Sequence, residues 1–206
     1  MTEYHLRKGW ECKNINVIYN GVNLNHFKPG NKINDDKINI VTHHWSPNLN
    51  KGYETYFNLW KHCKQTTDLE FVFIGKHVPV MFKDVNIIGP YAKEELVNAL
   101  NDCHVYITDS RYDSCPNHVL EAISCGLPIL YSNVDGGARE LCQMSDLPIG
   151  EMYSNFNDLL VKLEKIRNNY DTYVNNIKSS KHIFKTDKCV RSYYNYILKN
   201  CVEDTY

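Results

Sequence analysis

No apolar run in the 206 residues approaches the roughly 20 that a membrane-spanning helix needs. The opening residues, MTEYHLRKGWECK, lack the apolar core of a secretion signal, so the expected location is the cytoplasm. An excess of one charge is missing too. The 23 Lys and Arg are balanced by 24 Asp and Glu, and the interspersed signs argue against a nucleic-acid surface. Eight cysteines are present but no C-x-x-C pair. Cys12, Cys63, Cys103, Cys115, Cys125, Cys142, Cys189 and Cys201 are scattered, several inside helix and strand patterns, as small buried hydrophobes are. That distribution favours reduced thiols over disulfides or a metal site. Cys115 stands apart because it precedes a helix start, where a thiolate would be favoured and reactive.

Two glycine signatures are also missing. There is no G-x-G-x-x-G after the first strand and no G-x-x-x-x-G-K-[ST], which removes the main support for a dinucleotide-dependent dehydrogenase or a P-loop enzyme. Neither an internal repeat nor a low-complexity linker divides the chain. The expected organisation is a lead of residues 1–14 and one domain over 15–206, with C-terminal helices from about residue 155. β-branched and aromatic runs predict strands at 15–22, 38–43, 69–75, 85–90, 104–108 and 128–132. Helical spacing marks 53–65, 92–103 and 116–125, then a helix entered through NVDGGARELC, and from NDLLVKLEKIRNNY onward the pattern is helical with no strand expected. The alternation predicts an α/β fold: a single Rossmann-like domain with a parallel sheet of about five or six strands and a helical C-terminal tail.

The stretch DSCPNHVLEAISCGLP, residues 113–128, carries two acids around a helix start. Pro116 suits the first helical position, since its missing N–H would be unpaired there, and Gly126 suits the stop. Ligands of such sheets bind beyond the carboxyl ends of the strands, where helix amino ends also point. Asp113 lies in that loop, and Glu121 is about one and a half turns into the helix and can face the same crevice. The plain alternative, a surface acid at 113 and a solvated one at 121, fits the spacing equally well.

Three loops leave strands on that expected edge. Residues 43–52 bring His43, His44, Ser46 and Lys51, and residues 109–116 bring Asp113 and the N–H groups of Ser114, Cys115 and Asn117. Residues 133–137 bring Gly136 and Gly137, which allow close backbone approach, with Glu140 following. A lysine, a helix amino end and glycine turns suit a diphosphate, and two carboxylates suit sugar hydroxyls. The ligand implied is a nucleoside diphosphate carrying a sugar.

Taken in order, IYNGVNLNHFKP, THHWSPNLNKG and SRYDSCPNHVLEAISCGLPILYSNVDGGARE resemble the C-terminal, donor-binding domain of the retaining glycosyltransferases of family 4. That family has the GT-B architecture, of which this chain would be one half. The likeness runs from about residue 16 to 142, and its most specific part is an acid, seven residues, a glutamate, then Ala-x-x-Cys-Gly-x-Pro. It implies a metal-independent transferase of hexosyltransferase type that needs no cofactor, with a nucleotide sugar as donor and an unknown glycan, lipid or protein acceptor. It also implies Asp113 on the donor sugar and Lys51 on its diphosphate as the catalytic pair, and Glu121 on the ribose. Cys115, Pro116 and Asn117 would hold phosphate or sugar through the loop, with Ser46, His44, Gly136 and Gly137 completing the donor site. Two departures stand out. The first acid is usually glutamate, and the arginine usual shortly before the lysine is replaced by Trp45, with His43 and His44 beside it. His118 inside the motif either packs or touches substrate. An acceptor domain is expected on a separate partner. The other readings are a nucleotide-sugar binding or scaffold protein without transferase activity and, with less support from the loops, an epimerase of the same architecture.

Overall fold

A computed structural model describes residues 16–30, 37–76, 78–85, 87–89, 91–134 and 136–202. Six strands form one fully parallel sheet in the order β3-β2-β1-β4-β5-β6. They are β1 Ile38–His44, β2 Leu69–Gly75, β3 Ile87–Ile88, β4 Val105–Thr108, β5 Ile129–Ser132 and β6 Gly150–Tyr153. The central strands are mostly apolar because helices cover both faces, and β4 and β5 are buried at every residue, their polar ends Thr108 and Ser132 included.

Helices build the crossovers except that from β2 to β3, which among the described residues holds only the 3-10 turn Val80–Phe82. α1 (Tyr53–Cys63) and α5 (Phe156–Asn168) cover one face, where Tyr53, Tyr56, Leu59, Leu159 and Leu163 meet Phe71, Phe73, Ile107 and Leu130. On the other face lie α2 (Lys93–Asn101), α3 (Asn117–Ser124) and α4 (Gly137–Gln143), whose Leu100, Leu120, Ile123 and Leu141 pack with Val41, Ile74, Tyr106 and Ile129. The tail continues as α6 (Tyr170–Ser180) and α7 (Thr186–Ile197). Among the described residues no helix is long and apolar enough to cross a membrane.

β1 pairs with β2 on one side and β4 on the other, so the chain runs outward in both directions from the β1–β4 seam. The winding reverses at this seam, and ligands of such sheets bind in the crevice outside the carboxyl ends of the strands at that point.

Three expectations differ from the structure. Residues 16–20 form no strand; Val22 makes an isolated bridge to Lys185, while residue 15 lies outside the described residues. The backbone of Val22 is bonded to the tail instead: Val22 N–H donates to the Phe184 carbonyl and Thr186 N–H to the Val22 carbonyl. A sixth strand, β6, lies between the helix entered through NVDGGARELC and the helical remainder, in a stretch for which no element was expected. Its Glu151 is buried yet satisfied, because Tyr173 and Lys165 reach its carboxylate. Finally, α3 starts at Asn117, and Pro116 stands before it as the N-cap with an extended ψ of 105°.

Candidate functional site

The β1–β4 crevice holds the acids singled out in the sequence, together with two basic partners. Lys51 ends a short 3-10 turn, Leu49–Lys51, whose start is fixed by the Asn48 side chain accepting from Asn50 N–H. Gly52 follows at φ +86°, and its position leaves no room for a side chain: a Cβ would stand 2.5 Å from Asp109 Cβ. The close approach locks the β1 loop onto the β4 loop, and Arg111 N–H donates to the Asn50 carbonyl at 2.7 Å. Lys51 Nζ thereby reaches Asp113 Oδ2 at 2.8 Å and Ser110 Oγ at 3.4 Å. Both members of the pair are about a quarter exposed. Tyr112, just before Asp113, sits at φ +58°, a left-handed conformation that costs a residue with a Cβ roughly 1–3 kcal/mol.

Glu121 faces the same crevice from α3. Its Oε2 lies 2.8 Å from His43 Nε2, and the histidine is buried at the end of β1. Tyr106 fixes His43 from below, its hydroxyl accepting from His43 N–H at 3.2 Å and its ring standing 5.5 Å from the imidazole. Trp45 is partly exposed, with its ring 6.2 Å from that of His43.

His44 is placed otherwise than expected of a donor-binding residue. It is buried, stacked on Tyr56 at 5.6 Å and within 3.0 Å of the Tyr56 hydroxyl. Burial, then the nearby His43 and Lys51, hold its pKa well below the ordinary histidine value. His118 is similar: it is packed 4.8 Å from His44, its Nε2 lies 3.2 Å from Thr108 Oγ1, and its pKa is lowered by burial and then by its histidine neighbours and Lys51. Both rings belong to the core beneath the crevice.

At the amino end of α3, the N–H groups of Ser114, Cys115 and Asn117 donate to nothing among the described residues. Cys115 itself departs from the reactive-thiol reading. Burial raises its pKa and Asp113, Cys189 and Glu140 raise it further, outweighing the Asn20 N–H that donates to its Sγ and lowers it, so the thiol form is favoured. Asn117 Oδ1 accepts from the Asn20 side chain at 3.0 Å, and the Tyr19 hydroxyl donates to Glu140 at 2.8 Å. The segment around residue 20 thus straps the starts of α3 and α4, a role its Asn-Gly turn did not announce. Gly137 closes this side: its N–H donates to the Asp113 carbonyl at 2.6 Å, and a Cβ would meet the Ser114 carbonyl oxygen at 2.3 Å. Gly136 lies beside the same loop, where a Cβ would stand 3.1 Å from the Ser110 carbonyl oxygen. Ser46 contributes its carbonyl to the Tyr53 hydroxyl at 2.6 Å. No cluster of three or more metal-ligating side chains occurs among the described residues.

A six-stranded parallel sheet flanked by helices, with loops converging at its carboxyl edge, matches one half of a GT-B fold. The chain belongs to the group 1 glycosyl transferases, whose family model matches residues 38–164. Among solved structures it is similar to a sucrose-phosphate synthase from Thermosynechococcus elongatus, with TM-score 0.73, 19% identity, and coverage of 95% of this chain and 55% of that one. A glycosyltransferase from Rickettsia africae superposes with TM-score 0.75 at 15% identity, over 96% of this chain and 61% of that one. Anabaena HepE in complex with UDP-glucose gives 0.74 at 14% identity, over 94% and 60%. This chain therefore spans little more than half the length of these neighbours. No match was found among curated protein sequences.

Proposed function

We propose that this chain is the donor-binding half of a metal-independent, retaining glycosyltransferase that takes its sugar from a nucleoside diphosphate. The observation that carries the reading is the convergence of Lys51, Asp113 and Glu121 around the amino end of α3, whose first N–H groups are unused within the described residues. Lys51 and those amides would stabilise the departing diphosphate, Asp113 would accept sugar hydroxyls and Glu121 ribose hydroxyls. The bound UDP-glucose named for HepE is consistent with this ligand class. The acceptor hydroxyl would attack the anomeric carbon from the leaving-group face, and the acceptor itself would be held by a further domain or partner.

A second reading, a nucleotide-sugar binding or scaffold protein without transferase activity, is favoured by one observation. Lys51 is already paired with Asp113, so a diphosphate must compete with a carboxylate for the lysine. Calorimetric titration with UDP, GDP and their sugar conjugates tests the first step. Micromolar binding of one of them, lost in Glu121→Ala, is expected, and binding of none would remove the donor-site reading. Adding an acceptor domain then separates the two functions: sugar transfer marks the enzyme, and binding without transfer or hydrolysis marks the scaffold.

A further inference from the structure

We propose that His43 is a positioning residue that sets the Glu121 carboxylate for a ribose diol; this rests on the donor-site reading above. His43 joins Glu121 across 78 residues of sequence, Nε2 to Oε2 at 2.8 Å, and its ring is 1% exposed while the carboxylate is 24% exposed. A buried ring holds a partly exposed acid from behind.

The other ring nitrogen fixes the direction of this bond. His43 Nδ1 is buried and has no hydrogen-bond partner among the described residues. A proton there would be an orphaned buried donor, whereas a lone pair there is cheaper to leave unmatched. The ring proton therefore belongs on Nε2, which donates to Glu121 Oε2. The ring cannot turn to exchange its nitrogens freely, because the His43 backbone is tied to the Tyr106 hydroxyl and Tyr106, His118 and Trp45 lie around the imidazole at 5.5, 6.0 and 6.2 Å.

The consequence for the carboxylate is geometric. Glu121 projects from a helix with several staggered rotamers open to it, and one hydrogen bond from a fixed donor selects one of them. Oε2 is tied to the ring, and Oε1 makes no hydrogen bond within the described residues, so it is available to a ligand hydroxyl. A carboxylate held in place binds a vicinal diol without first losing its own rotamer freedom, which raises affinity for ribose over deoxyribose.

The test compares UDP and GDP with their 2′-deoxy forms by calorimetry on the full chain. In the wild type the ribonucleotide is expected to bind about tenfold or more tightly than its deoxy form. His43→Gln, whose amide nitrogen falls near Nε2, is expected to keep that preference. His43→Asn, whose amide falls near Nδ1 and cannot reach Glu121, and His43→Leu are both expected to lose it, matching Glu121→Gln. A second readout needs no nucleotide: the imidazole nitrogen resonances of the wild type should report the Nε2–H form, with the Nε2 signal displaced in Glu121→Gln. Wild-type preference for ribose retained in folded His43→Asn or His43→Leu would overturn the positioning role and leave the donor reading intact. A wild type that binds both sugars alike would overturn the inference while leaving a nucleotide site, and one that binds no nucleotide would overturn the donor reading and the inference with it.

Discussion

Glu121 and Asp113 reach the crevice from different supports, and their variants should separate. Glu121 stands on a helix and is held by His43; Asp113 stands on a loop and holds Lys51. Glu121→Ala is expected to weaken binding of the bare nucleotide by about 1–3 kcal/mol through loss of charge-assisted hydrogen bonds. Asp113→Ala should weaken discrimination among sugars more than binding of the nucleotide alone, since it would also release Lys51 toward phosphate. Titrations of both variants with nucleotide and nucleotide sugar check this, and equal losses on both ligands for both variants would contradict the assignment. The histidines below the crevice make a different prediction, about stability. His44 and His118 are both held well below the ordinary histidine value, first by burial. A lowered pKa means the unfolded chain binds protons that the folded chain refuses, so stability is full above the unfolded value and falls as pH drops below it. Two such groups should cost about 2–3 kcal/mol between about pH 7.5 and pH 5.5. Denaturant titrations at the two pH values should show the fall, and in His118→Leu the loss should be about half as large.

The elements around the site depend on a few backbone approaches more than on side-chain contacts. Gly52 joins the 3-10 turn to α1 at φ +86° with Asp109 against its Cα, so Gly52→Ala must both enter the left-handed region and push the β4 loop away. A loss of at least about 2 kcal/mol in unfolding free energy is expected, together with a weaker site because Lys51 moves with the turn. Chemical denaturation and nucleotide titration of the variant measure the two effects. At this scale the sequence was readable where burial made it monotonous. Runs such as INIVTH and LEFVFIG announce buried parallel strands because no polar face is needed, and YETYFNLW announces a helix with one covered side. β6 was hidden because Gly150 and Glu151 look like a turn, and only Tyr173, Lys162 and Lys165 from later helices make a buried glutamate tolerable. INVIYNGV reads as a strand from its β-branched residues, but among the described residues its only bridge is the one Val22 makes to the tail at Lys185, and Val17 stands exposed. The acids of the site could be listed from their spacing, but their partners could not. Lys51 meets Asp113 across 62 residues and His43 meets Glu121 across 78, and neither separation has a local signature.

On the scale of the whole molecule, the described residues divide sharply between a dense sheet core and a loosely held end. The carboxyl edge is tied together by backbone hydrogen bonds, the Gly52 approach, the Lys51–Asp113 ion pair and the His43–Glu121 hydrogen bond, whereas α7 has no buried residue at all. Val190, Tyr193, Tyr194 and Ile197 are 49–61% exposed along that helix, so little apolar area holds it to the domain. Helical propensity alone does not sustain a helix of this length in water. Local opening should therefore occur in α7 without the rest unfolding, at a small fraction of the global free energy. Hydrogen exchange of the isolated chain is expected to show the amides of 188–197 protected by no more than about 1–2 kcal/mol, while those of β1 and β4 exchange only with global unfolding. The start of the helix should be the firmer part, because Thr186 N–H donates to the Val22 carbonyl and Gly21 lies against Thr186 Cα. Protection rising along α7 toward Ile197, or equal to that of the central strands, would mean that the apolar side of this helix is covered in solution after all.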